Sequence, residues 1–170
     1  EKVLGFIDGL DLPKGAKVLE LGYGAGQINS RLGQRGFEVH GVDTSEKFHK
    51  IATERCKKEC PEGKFYLKTG NIESKLEYED STFDLVVETG VLHYLYDPGA
   101  CLNEFYRVLK PGGYLVIGQR RAYGLAHLSS MRAFTRSCTY LILRERYELF
   151  PSFKSILCDS KLGAIFGRYE

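Results

Sequence analysis

No stretch of this sequence reaches the roughly 20 consecutive apolar residues that a membrane-spanning helix requires. The opening residues Glu1-Lys2-Val3-Leu4-Gly5 lack both the long apolar core and the small-residue cleavage pattern of a secretory signal. A cytoplasmic protein with no membrane partner is the expectation. A dominant charge is also missing: 24 Lys and Arg stand against 22 Asp and Glu, which gives no basis for a nucleic-acid partner across the whole surface. Cysteine is sparse and odd in number. Cys56, Cys60, Cys101, Cys138 and Cys158 follow no disulfide-framework spacing and read as reduced thiols. Cys56 and Cys60 share a helix face, with His49 upstream, but zinc takes four ligands, or three and a water. No second pair is evident, so no metal is expected. There is no internal repeat, no low-complexity tract and no Gly-Lys-Ser/Thr phosphate loop. The first residue is Glu1 rather than Met, and a fragment of a longer protein is one expectation; an oligomer is compatible with the sequence.

What is present is a strand, a turn and a helix start: Val18-Leu19-Glu20-Leu21-Gly22-Tyr23-Gly24-Ala25-Gly26-Gln27-Ile28. An apolar run closes on an acid, three glycines alternate, and a helical pattern begins. Glycines there let the backbone take positive φ and let a ligand lie against bare main chain. A dinucleotide fold wants G-x-G-x-x-G, whereas position 27 is Gln. After the first helix, Phe37-Glu38-Val39-His40-Gly41-Val42-Asp43-Thr44-Ser45 alternates as a strand does and ends in an acid. Asp43 lies 19 positions after Gly24, near the ~20-residue offset at which a carboxylate meets ribose hydroxyls. The alternative is that Asp43 caps the next helix, a task open to Thr44 or Ser45 as well.

A third strand, Lys64 to Thr69, leads to Asn71 and Ile72. A fourth, Phe83-Asp84-Leu85-Val86-Val87-Glu88, leads to Val91-Leu92-His93-Tyr94. A helix follows from Pro98 to Leu109. Lys110-Pro111-Gly112-Gly113 is expected to break the chain before a fifth strand, Tyr114 to Gly118. Strands alternating with helices imply a parallel sheet covered on both faces. Right-handed crossovers bring every strand's carboxyl end to one edge, so Glu20 to Gly26, Asp43, Asn71 and Glu88 to His93 converge on one rim.

The Glu-x-Gly-x-Gly-x-Gly loop, the acid at 43, Phe-Asp-Leu-Val, Val-Leu-His and Arg107-Val108-Leu109-Lys110-Pro111-Gly112-Gly113 occur in that order. Together they resemble the class I S-adenosylmethionine-dependent methyltransferases of the small-molecule type. The resemblance covers residues 13–118. It implies a doubly wound, Rossmann-like α/β fold whose mostly parallel sheet has seven strands and ends in an antiparallel hairpin. One domain is expected over 1–170: a cofactor-binding core (1–118), a helical substrate-side insertion (119–150) and a terminal β-hairpin (151–170).

The same resemblance implies S-adenosyl-L-methionine as cofactor and a set of residues to hold it. Glu20 would face the ammonium, unless it is only a strand-end acid. Gly22, Gly24 and Gly26 would floor the site, with Tyr23 as a wall toward the mouth. Asp43 and Thr44 would meet the ribose. Asn71, where the family usually carries Asp, and Ile72 would meet the adenine. Glu88 would accept from the cofactor amine or the substrate. His93 is the candidate base, its alternative being a histidine that packs under the cofactor. Tyr94 and Tyr96 could bond a substrate. Segment 119–150 holds Arg120, Arg121, Arg132, Arg136, Arg144 and Arg146 against Glu145 and Glu148, which suits an anionic small molecule or a solvated helix. The expected function is methyl transfer to a small-molecule acceptor. The alternatives are a degenerate cofactor-binding domain of a larger assembly and, against the glycine pattern, a nicotinamide dehydrogenase.

Overall fold

The computed structural model of the chain describes residues 2–119, 139–144 and 157–158. Helix α1 (Lys2–Asp8) precedes strand β1 (Lys17–Leu21). There follow α2 (Gln27–Gln34), β2 (Glu38–Asp43), α3 (Glu46–Glu59), β3 (Lys64–Thr69), β4 (Phe83–Thr89), a single 3-10 turn (Leu92–Tyr94), α4 (Pro98–Val108) and β5 (Leu109–Gln119). The five strands are parallel in the order β3-β2-β1-β4-β5. The order reverses beside β1, whose neighbours are β2 and β4, and that is the switch point at which open α/β sheets bind ligands.

Alternation along each strand supplies the two faces. Leu19 and Leu21 of β1 and Val86 of β4 join Phe105, Tyr106 and Val108 of α4 in one core. Val18, Leu85 and Val87 join Val3, Leu4 and Ile7 of α1 and Leu32 of α2 in the other. Fully burying each such side chain stabilises by roughly 1.5–3 kcal/mol. Helix starts follow their capping residues: the Ser45 hydroxyl accepts from Phe48 N at 3.2 Å, and Asp97 accepts from Ala100 N at 2.9 Å ahead of Pro98.

Two sequence expectations are corrected. Lys110 to Gly113 does not separate helix from strand, because β5 already begins at Leu109, paired with Phe83. The next pair is Leu85 with Tyr114, so residues 110–113 bulge opposite Asp84, with Gly112 at φ 74°. Lys110 Nζ fixes the bulge by donating to Asp84 Oδ1 at 2.8 Å. Within the segment expected to be helical, 119–150, residues Thr139–Arg144 instead form strand β6, antiparallel to β5; residues 120–138 and 145–150 lie outside the described residues. The run Tyr140-Leu141-Ile142-Leu143 carries aromatic and branched residues that favour a strand. Leu157–Cys158 forms β7 against β6. The rest of the hairpin expected over 151–170 lies outside the described residues, as do Arg120, Arg121, Arg132 and Arg136.

Candidate cofactor site

The carboxyl ends of β1, β2 and β3 are stitched together by main-chain bonds. Gly22 N donates to Val42 O at 2.8 Å, and Gly70 N donates to Asp43 O at 2.8 Å. The Asp43 side chain completes the seam. Its Oδ2 accepts from Gly24 N at 2.8 Å and its Oδ1 from Ser45 N at 2.8 Å. Asp43 is 8% exposed. Ser45 takes the helix cap, so the carboxylate of Asp43 is spent on the loop geometry instead, and each oxygen keeps a second lone pair for another donor. Thr44 is exposed beside it.

The glycines of the loop differ in what they do. Gly22, at φ 68°, lies under Val91: a Cβ there would come within 2.2 Å of Val91 Cγ2. Gly24, at φ 50°, has no atom within 4 Å of the place a Cβ would occupy. The middle glycine therefore presents bare, strained-for-any-other-residue backbone to open space. Gly26 caps α2 in the left-handed region and donates its N–H to Tyr23 O at 2.9 Å.

The two acids of the central strands lie beneath this surface. Glu20 is 1% exposed. Burial holds its carboxyl well above the usual carboxylate range, and the charge of Asp43 pushes the same way. Its Oε2 and both side-chain amide atoms of Asn29 on α2 are buried without a hydrogen-bond partner among the described residues. Glu88 is fully buried; its Oε1 accepts from Val91 N and, at 3.0 Å, from Leu92 N. It thereby holds the turn that carries His93 and seats Val91 on Gly22. His93 occupies the middle of the 3-10 turn; its side chain lies outside the described residues.

Tyr23 is corrected. It does not form a wall at the mouth. The side chain turns inward, 4% exposed, and its hydroxyl lies 3.0 Å from His49 Nδ1 and donates to Lys68 O at 3.2 Å. The ring sits over Gly41, where a Cβ would come within 2.6 Å of Tyr23 Cδ1. Sequence reasoning missed this contact, although a glycine inside a strand was its one signal. Asn71 is exposed, with Oδ1 accepting from Glu73 N at 2.9 Å. Glu73 in turn accepts from Tyr96 N, which ties the loop after β3 to the loop after β4. The Ile72 side chain is in the core on the α4 face. Tyr94 and Tyr96 stand out from the rim, 79% and 97% exposed.

A doubly wound parallel sheet whose glycine loop, on the strand beside the switch point, bonds an acid at the end of the neighbouring strand defines a nucleotide-type cofactor-binding domain. Residues 19–117 match the methyltransferase domain family, more than half of the sequence, and the chain belongs to this class I, S-adenosylmethionine-dependent family. S-adenosyl-L-methionine is the cofactor that membership brings. Among similar proteins, a demethylmenaquinone methyltransferase of Leptospira interrogans is 35% identical over 56% of this chain and 39% of its own. A ubiquinone biosynthesis O-methyltransferase of Paracidovorax citrulli is 30% identical over 66% of this chain and 47% of its own. A methyltransferase structure from Aquifex aeolicus, S-adenosylmethionine-dependent, superposes with a TM-score of 0.61 and 26% identity, covering 71% of this chain and 67% of that one. The [4+2]-cyclase SpnF superposes at 0.64 with 25% identity, covering 71% and 46%. The chain spans less than half the length of these curated relatives.

The residues present fit such a cofactor. Gly24 offers a cradle that a Cβ would fill, and Asp43 offers fixed acceptors beside it. No helix among the described residues is long and apolar enough to cross a membrane.

Proposed function

We propose that this chain binds S-adenosylmethionine over Gly24 and transfers its methyl group to a small-molecule acceptor. The observation that carries the reading is the open space over Gly24 with Asp43 held against the same residue by a 2.8 Å bond. Gly22, Gly24 and Gly26 floor the methionine and ribose part. The remaining lone pairs of Asp43 accept from the ribose diol, which charge assistance strengthens, with Thr44 beside them. Asn71 and the main-chain N–H of Ile72 border the adenine, the Ile72 side chain being packed in the core. Glu20, beneath the loop, faces the cofactor's ammonium directly or through water, and Glu88 shapes the loop on the substrate side. His93 is the base where the acceptor needs one.

The cofactor supplies a sulfonium-activated methyl, so the protein need not create an electrophile. The task left to these residues is alignment. Holding two reactants in line can lower a barrier by ~7–11 kcal/mol, and the stitched edge of β1, β2 and β3 is built for fixed geometry. The arginines of 119–150 support an anionic acceptor, as does the likeness to phosphoethanolamine N-methyltransferase 3 of Arabidopsis thaliana. The antiparallel β6 and β7 support a sheet completed to seven strands by a terminal hairpin.

The test is turnover with labelled cofactor across acidic and neutral acceptors, after titration with S-adenosylhomocysteine and with NAD. Binding of the first alone, with label passing to an acid, is the expected result. Label passing equally to neutral acceptors rejects the anionic part. A second reading, cofactor binding without methyl transfer, is favoured by the likeness to a [4+2]-cyclase; binding with no turnover on any acceptor supports it.

A further inference from the structure

We propose that Tyr23 is a positioning residue whose buried hydroxyl, locked between His49 and the Lys68 carbonyl, sets the conformation of the glycine loop and through it the affinity for the adenosyl cofactor. The inference rests on the reading above, since it needs a cofactor at Gly24.

Three elements converge on one hydroxyl. Lys68 belongs to β3, His49 to α3, and the ring lies on Gly41 of β2. The hydroxyl has a single proton, given to Lys68 O. Its oxygen then accepts from His49, which fixes that ring with its proton on Nδ1. Burial pushes the phenol up to about 12, so it remains a donor through neutral pH.

Tyr23 also sits at the centre of the loop's own bonds. Its carbonyl accepts from Gly26 N, and the residue that follows it donates to Asp43. Gly24 has no side chain to restrict it, nothing occupies the space a Cβ would take, and its own anchor is the bond to Asp43. A loop of alternate glycines holds one shape only if something fixes the residue between them. A loop ordered before binding avoids that entropic cost when the ligand arrives.

The test uses the full chain, titrated with S-adenosylhomocysteine, with thermal melting of the unliganded protein alongside. Tyr23→Phe keeps the ring over Gly41 and removes both hydrogen bonds. His49→Leu removes one, and His49→Asn keeps a donor near the place of Nδ1. Losing a buried hydrogen bond of this kind is expected to weaken binding about tenfold in Tyr23→Phe and His49→Leu. His49→Asn should stay within about threefold of wild type. An unchanged dissociation constant in Tyr23→Phe overturns the proposal, whether or not its melting temperature falls. Equal weakening in His49→Asn and His49→Leu overturns the His49 part. If Tyr23→Phe does not fold, the two His49 variants decide. Failure of the wild type to bind overturns the reading of the site itself, and this inference with it.

Discussion

The main-chain nitrogen of Gly24 and the carboxylate of Asp43 are 2.8 Å apart, although 19 residues and a whole helix separate them in sequence. Each constrains the other. Asp43 holds the one loop residue whose upper face is open, and Gly24 holds the carboxylate where a diol lying on that face would meet it.

Asp43→Ala removes the acceptor of both bonds and, with it, the proposed ribose contact. Charge-assisted bonds of this kind contribute about 1.5–3 kcal/mol, so binding of S-adenosylhomocysteine should weaken by one to two orders of magnitude. Asp43→Asn keeps an acceptor for Gly24 and should lose less. Calorimetric titration of the pair checks the order.

Two glycine substitutions should separate binding from folding. Gly24→Ala places a methyl in the open space and strains a backbone at φ 50°, at a cost of about 1–2 kcal/mol. It should abolish tight cofactor binding while the protein still folds. Gly22→Ala drives a methyl into Val91 Cγ2 and should lower the melting temperature further. Melting curves and titrations of both variants test the contrast; equal loss of stability contradicts it.

Glu20 should make stability fall as pH rises. Burial raises its carboxyl in the folded state, so the folded chain holds a proton that the unfolded chain releases near the ordinary glutamate value of about 4.3. Its contribution is full below that value and is lost as pH climbs toward the folded-state value. Glu20→Gln mimics the protonated form at every pH. Its melting temperature should gain on wild type as pH is raised above the ordinary carboxylate range. Parallel melting temperatures across pH contradict this.

Arg107 pins the segment between β3 and β4. It donates to Leu76 O at 3.0 Å and Tyr78 O at 2.8 Å and pairs with Asp80 and Glu104. Arg107→Ala leaves two carbonyls and Glu104 without this partner and should cost about 1–3 kcal/mol. Lys cannot span the same fork, so Arg107→Lys should recover little. Thermal or urea unfolding measures both.

The order of elements was legible because parallel strands buried on both faces read as apolar runs, as in Leu85-Val86-Val87. The convergence of Glu20, Asp43 and Glu88 followed from handedness alone. Less legible were features set by distant partners. Gly24 and Gly22 look alike in sequence, yet one faces open space and the other faces Val91. Tyr23 turns inward because Gly41 and His49 make room and a partner for it, and neither is near it in the chain. The Lys110 to Gly113 stretch carries every signal of a break. It is absorbed as a bulge because Phe83 pairs with Leu109 before the break and Leu85 with Tyr114 after it.

The most direct measurement is an experimental structure of the chain with S-adenosylhomocysteine. The account predicts the ribose hydroxyls on the carboxylate of Asp43, the ligand lying across Gly24, and Tyr23 still bonded to His49 behind the loop. A ligand seated elsewhere, or a space over Gly24 filled by the chain's own side chains, contradicts it.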